Sequence, residues 1–299
     1  MYGIEIWTMV FNIPLPLILA DYSFAVEFLI AYSLYEASKS SESKRKVINN
    51  IKALLWALLI AGIIRTFAIE PFKIPSGSMK PNLLVGDFLF VSKWDYGYSR
   101  YSFPFGVPPF KGKIFESNPE RGDIIVFKLP GQENINYVKR LIGLPGETIK
   151  IVDGHIYIKA NGELDFQKVP QKQIENFNDQ EKDYNFPRFL ENGYEVLNGR
   201  IDIFYDDNAK EFKKVFKTVT TLDNTSEFKI PKDKFFFMGD NRDNSSDSRV
   251  LSGVGFVPKE NIIGKVWFIW FSVDTDFSFS KFWNLPLHIR YDRLFNTIK

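Results

Sequence analysis

The sequence predicts a mainly β protein, an antiparallel β domain carried behind N-terminal membrane helices. Three observations lead there. Residues 1–70 are dominated by long apolar runs. From Lys73 onward, short apolar stretches alternate with turn residues, the signature of strands. The chain also holds 30 Phe and 13 Tyr, side chains suited to a pleated, half-buried surface.

The elements follow in order. Residues 6–20 carry no charge, although Asn12, Pro14 and Pro16 interrupt them. After Asp21 the chain is apolar again to Tyr35, apart from Glu27. Residues 6–35 are therefore the first expected transmembrane segment. Residues 36–52 read as a polar loop containing Lys39, Lys44, Arg45, Lys46 and Lys52, whereas residues 1–38 hold no Lys or Arg. Residues 53–69 form the second expected span, with Arg65 near its end and able to snorkel to the interface. A buried core helix is the other reading of this run. The positive-inside rule puts the basic loop in the cytoplasm and everything after about Glu70 outside. The first segment lacks a basic n-region, so it does not read as a cleavable signal peptide.

Residues 71–299 then form the β domain. "GDFLFVSK", "GDIIVFKLP", "NYVKRLIGLPG", "TIKIVDG", "HIYIKANG", "KFFFMGD" and "IIGKVWFIWFS" read as strands. A polar, less regular region, with residues 169–228 as its centre, reads as an inserted subdomain over about 155–232. Composition narrows the chemistry. A net charge of +2 gives no electrostatic case for nucleic acid. The absence of cysteine removes disulfides, thiolate nucleophiles and Cys-based zinc sites. His155 and His288 are the only histidines, too little material for a Ser-His-Asp triad or a His-rich metal site.

Three segments carry candidate chemistry. "IPSGSMKP" places Ser76 and Ser78 around a glycine just beyond the second apolar run. It reads either as a turn or as a nucleophile with a helper. Without histidine nearby, a serine needs another base, and a desolvated lysine can serve. Lys139 in "NYVKRLIGLPG" fits, with Tyr137 and Leu141 on its face of a strand and Arg140 on the other. A solvated edge-strand lysine is the alternative. "FFFMGDNRDNSSDSR" gathers three Asp, two Asn, two Arg and three Ser. A calcium loop would want a glutamate at its twelfth position, which is missing. Alternating Asp and Arg can instead pin a buried loop through paired charges.

In order and context these segments resemble the boxes of bacterial type I signal peptidases, the leader peptidases of the Ser-Lys class. The matching stretches are "RTFAIEPFKIPSGSMKPNLLVGDFLFVSK", "RGDIIVFKLP" with "NYVKRLIGLPGE", and "FFFMGDNRDNSSDSR" with "GFVPKENIIGKV". The resemblance spans residues 65–154 and 235–272. It implies a coiled, antiparallel, β-barrel-like catalytic domain with a variable inserted subdomain. Ser78 corresponds to the nucleophile and Lys139 to the general base. The Ser76 hydroxyl and the Ser78 N–H correspond to the oxyanion hole. Ser245 corresponds to a serine that hydrogen-bonds and orients the lysine, and Asp247 with Arg249 to a supporting ion pair. Ile74, Pro75, Met79, Leu83, Tyr137 and Val138 match shallow apolar subsites, and Phe72 and Val126 a deeper one. The implied reaction is signal-peptide removal after small residues of an Ala-X-Ala pattern, with no cofactor and no metal. The implied partners are preproteins, the lipid bilayer and translocation machinery nearby, with no nucleic acid. The implied place is the bacterial cytoplasmic membrane, multi-pass, with the catalytic domain on the extracytoplasmic side. Asn136, Lys80 and Asn82 depart from the family pattern and bear on subsite preference. A membrane-anchored scaffold displaying the polar loop, and a Ser-Lys protease with another target, are the competing readings.

Overall fold

The computed structural model describes residues 41–103, 110–179, 184–206, 211–217, 222–274 and 283–298. The first expected span, residues 6–35, lies outside them. Helix α1 (Ser41–Phe67) is continuous, so the stretch expected as a basic loop is helical from Ser41 onward. Its segment Arg45–Phe67 is long and apolar enough to cross a membrane, with a mean hydropathy of 2.0. Leu55, Trp56, Leu59, Ile60 and Ile63 are exposed around it, and among the described residues almost nothing covers it. A helix that is apolar all round and uncovered is not a core helix of this fold. It ends before β1 (Ile69–Lys73), which takes Ile69, the last residue of the expected span.

The seven strands expected from apolar runs all form, the first five being β2 (Asp87–Ser92), β3 (Ile124–Leu129), β4 (Gln132–Gly143), β5 (Thr148–Val152) and β6 (His155–Lys159), and the other two the strands at Lys234–Met238 and Ile262–Ser272 below. Further strands follow: β7 (Gln167–Lys168), β8 (Gln171–Gln173), β9 (Phe177–Asp179), β10 (Tyr184–Phe186), β11 (Arg188–Glu191) and β12 (Tyr194–Leu197). Last come β13 (Arg200–Asp206), β14 (Glu211–Lys217), β15 (Phe228–Lys229), β16 (Lys234–Met238), β17 (Val257–Pro258) and β18 (Ile262–Ser272).

The main sheet is antiparallel, in the order β1-β2-β18-β3-β4-β16-β17. β4 and β18 are its long inner members; shifts of register of β18 against β2 and β3 mark bulges, which raise twist. These pairings leave β1 and β17 as edges, so the closure expected of a barrel is not formed among the described residues. The aromatic content is spent here: Phe127 stacks on Phe237 at 4.7 Å and Phe90 on Trp270 at 5.4 Å.

The region expected as a separate insert does not stand apart. β6 and β7 join β5 and β15 in a four-stranded sheet, so a boundary at residue 155 would cut through the β5–β6 pairing. Tyr194 and Val196 of β12 share a core cluster with Ile142, Phe236 and Met238 of the main sheet. β8, β11 and β12 form a small sheet, and β13 pairs with β14 in a hairpin.

Candidate active site

β1 leads straight into the serine segment. Ile74 is held by two backbone bonds, its N–H to Asp87 O (2.8 Å) and its carbonyl from Gly86 N–H (3.1 Å). The chain then tightens into a 3-10 turn over Gly77–Met79. Ser76 precedes it in extended conformation and its side chain makes no capping bond, leaving the hydroxyl for other work. Met79 is buried beneath the turn and anchors it in the core with Ile74.

Lys139 arrives from β4, where period-two alternation puts it on the face of Tyr137 and Leu141. That face packs into the cluster of Ile125, Phe127, Leu141 and Phe237. The side chain is 3% exposed, and its Nζ lies 2.6 Å from Ser78 Oγ and 3.1 Å from Val138 O. Burial lowers its pKa from the ordinary 10.5 to about 8, against the pull of the Asp247 and Asp240 carboxylates and with help from Arg249. Ser76 Oγ stands 3.5 Å from Ser78 Oγ. The structure thus brings together Ser76, Ser78 and Lys139, which lie up to 63 positions apart in sequence.

The third segment, after β16, supports the pair from behind. Arg249 grips Asp247 in a fork, Nε to Oδ1 at 2.8 Å and Nη2 to Oδ2 at 2.9 Å. Burial works against the Asp247 charge, but Arg249 and the Gly239 N–H (3.0 Å) hold its pKa below the usual carboxylate value. Arg140, on the opposite face of β4, makes the equivalent fork with Asp240 at 2.7 Å for both bonds. The carboxylates of this loop thus face guanidinium groups or backbone N–H groups, with Asp243 accepting from Gly199 N–H at 2.6 Å. Asn241 ties the loop to the serine turn, its N–H on Ser78 O (3.1 Å) and its Nδ2 on Gly77 O (3.0 Å).

Ser245 differs from expectation. The Lys139 amine bonds to Ser78 Oγ and Val138 O, not to Ser245; the buried Ser245 hydroxyl makes no hydrogen bond of good geometry, and its influence falls on the Asp247 carboxylate, whose charge it favours. The side chain instead packs against Gly239. A Cβ added at Gly239 would strike Ser245 and come within 2.5 Å of the Ser78 carbonyl oxygen. Gly239→Ala is therefore expected to displace the serine turn and lower the turnover rate by about 100-fold, the scale of a 1 Å misplacement. Steady-state kinetics on the folded variant check this, and a rate near wild type would contradict the close fit.

A cleft of about 750 Å³ opens beside Ser78 and runs along the free edge of β1. Phe72, Ile74, Pro75, Met79, Tyr137 and Val138 line it as expected. Leu83 and Val126 do not: both are fully buried, packed behind Ile74 and Met79 in the core. Val126 shares a face with Val138, its partner across the ladder, but is covered by the cluster that Ile74 and Met79 join. Ile135, Asn136, Asn244 and Ser246 also line the cleft, and Arg65 and Glu70 stand at its helix end, paired at 2.9 Å. Neither histidine does.

Comparison with known proteins settles which family this arrangement sits in. Residues 47–271 match the family described as signal peptidase, peptidase S26. The chain belongs to that family. It is 40% identical over 225 residues to a signal peptidase I of Rickettsia akari (strain Hartford), covering 73% of this chain and 77% of the relative. A signal peptidase I of Rickettsia typhi (strain ATCC VR-144 / Wilmington) is 38% identical over 237 residues, covering 78% and 83%. A crystal structure of a signal peptidase I from Enterococcus faecalis V583 is 26% identical with a TM-score of 0.25, covering 50% of this chain and 97% of that one. As a family member, this S26 chain is a serine endopeptidase of the signal peptidase I type.

The sequence did not reveal the ties that hold the loop after β16. Asn82, noted only as a departure from the family pattern, donates to Asp240 Oδ2 at 2.8 Å and to Glu195 O at 2.7 Å. Gly239 and Asn241 were visible only as parts of a polar run. The pairing of Arg242 with Glu191 left no local signal, because the partners are 51 positions apart.

Proposed function

We propose that the protein is a membrane-anchored peptidase that removes N-terminal signal peptides from translocated preproteins, with Ser78 as nucleophile and Lys139 as its base. The observation that carries this reading is the 2.6 Å approach of the buried Lys139 amine to Ser78 Oγ. The neutral amine takes the Ser78 proton as Oγ attacks the carbonyl carbon at the cleavage site. Negative charge then builds on the carbonyl oxygen, where the Ser76 hydroxyl and Ser78 N–H donate; such a donor is worth roughly 3–4 kcal/mol in the transition state. The protonated Lys139 returns its proton to the departing amine. The same amine then activates the water that releases the acyl group from Ser78. Asp247, Arg249 and Ser245 support the dyad by fixing the loop behind it.

Preference for small residues in an Ala-X-Ala pattern is part of this reading and rests on the family resemblance. Apolar side chains line the cleft beside Ser78, among them Ile74 and Met79, which are almost wholly buried. The lining Asn136 adds a polar group to one wall. Residues 6–35 and α1 serve as two anchors in a bacterial cytoplasmic membrane. The cations near the start of α1 stay inside, and residues 71–299 stand outside as the catalytic unit beside the translocation machinery.

The test is cleavage of a preprotein by the purified full chain, with protease protection of sealed vesicles as its second readout. Cleavage behind a small residue is expected, abolished by Ser78→Ala, with the β domain digested from outside and residues 39–52 spared. No cleavage, or cutting of that basic stretch with the β domain protected, would overturn the reading of activity or of orientation respectively.

A further inference from the structure

The β11–β12 hairpin lies far in sequence from the catalytic segments and yet is bonded to both. Asn82, four positions after Ser78, donates to Glu195 O at 2.7 Å. Leu197 N–H donates to Asp240 O at 2.8 Å and pairs as a parallel bridge with Asn241. Tyr194 lies under Arg140, 4.2 Å from guanidinium carbon to ring centroid. The remaining tie is ionic. Arg242 makes a fork with the Glu191 carboxylate, Nη1 to Oε2 at 2.9 Å and Nη2 to Oε1. Both side chains are at most 2% exposed. Tyr194 Oη (3.3 Å) and Gln171 Nε2 (3.4 Å) hold the carboxylate from the hairpin side.

From Arg242 the contacts run to the serine. Its Nε donates to Gly239 O at 3.2 Å. Its own carbonyl accepts from Arg249 Nη2, so the Asp247–Arg249 pair and the Arg242–Glu191 pair share one loop. Asn241, the preceding residue, carries both bonds to the Gly77–Ser78 turn.

We infer that Glu191 is a positioning residue for peptide cleavage: by fixing Arg242 it holds the 239–242 backbone that in turn fixes the aim of Ser78. This rests on the reading of Ser78 as nucleophile. The physical ground is the asymmetry of buried ion pairs. Removing one partner leaves an uncompensated charge that the interior does not tolerate, whereas the pair itself is nearly neutral in energy. Without Glu191, the Arg242 guanidinium is driven towards water and draws the loop with it. The cleft walls at Phe72 and Tyr137 are built on β1 and β4 and stay in place. The loss therefore falls on the chemical step and not on substrate binding.

The test uses the full-length protein in detergent micelles with a preprotein substrate. Glu191→Gln is expected to lower kcat by about tenfold to 100-fold, the range set by a sub-ångström to 1 Å misplacement, with KM within about twofold. Arg242→Gln should do the same, and the double variant should be no slower than the slower single, because the two act as one unit. Glu191→Asp keeps the charge one methylene short and should fall between wild type and Glu191→Gln. Unchanged kcat in folded Glu191→Gln, a loss seen in KM alone, or multiplied losses in the double variant would overturn the inference. Should Glu191→Gln fail to fold, a loss confined to kcat is expected of Glu191→Asp, and wild-type kcat there overturns it. Ser78→Ala run alongside separates the two levels: if it cleaves, the nucleophile reading has failed rather than this one.

Discussion

Ser78→Ala and Lys139→Ala should each lower preprotein processing by at least about 10⁴-fold while the protein remains folded, and the double variant should be no worse than either single. The expectation follows from geometry. In the proposed mechanism Ser78 Oγ is a weak nucleophile without a base, and Lys139 Nζ, 2.6 Å away, is that base. Removing either group removes the same proton transfer, so the second substitution has nothing left to destroy. Folding should survive, because Ser78 is on a surface turn and Lys139→Ala removes an amine from an apolar neighbourhood. Quantitative cleavage assays on the four proteins check this; multiplied losses, or substantial activity in either single variant, would break the unit.

The second large effect is on stability. Lys139 has a folded-state pKa of about 8, below its ordinary 10.5. Below about pH 8 the amine is protonated in both folded and unfolded chains, and the full penalty of burying the ammonium applies. That penalty is about 3 kcal/mol for this difference. Between about pH 8 and 10.5 the folded protein has shed the proton and the unfolded chain still holds it, so stability rises with pH. Above 10.5 the penalty is gone. Lys139→Met, of similar length and uncharged, should therefore be more stable than wild type by up to about 3 kcal/mol at neutral pH, with the gap closing between pH 8 and 10.5. Urea unfolding of the full chain in mild detergent across that range measures it. A gap that is absent at pH 7, or that widens as pH rises, would contradict a desolvated lysine.

Much of this architecture is legible in the chain, for identifiable reasons. The inner strands β2, β3 and β18, and the second half of β4, announce themselves because strands buried on both faces read as apolar runs. Ser76, Ser78 and Lys139 are legible only jointly: "IPSGSMKP" alone reads as a turn and a strand lysine alone as a solvated edge residue, and it is the resemblance of three segments in order that singles them out. Other features depend on partners distant in sequence. β1 was hidden at the tail of an apolar run, since helix and strand look alike there without a turn signal. The inward burial of Leu83 and Val126 depends on how β3 stacks behind the serine turn, which residue type alone does not reveal. The short strands β7–β12 are polar on exposed faces and carry little periodicity, and their link to the catalytic loop runs through Glu191 and Glu195. Ser245 had the right residue type for a bond to the lysine, but its hydroxyl is directed onto Gly239.

The central claim is that Lys139 works as a neutral amine because the fold desolvates it. The most direct test is the rate of preprotein cleavage by wild type as a function of pH, under conditions where the chemical step limits. The account predicts an acid limb on which activity rises with pH through an apparent pKa near 8, the value burial gives the amine. An acid limb whose apparent pKa sits at or above the ordinary lysine value of 10.5 would mean that the amine is not desolvated, and would contradict the mechanism.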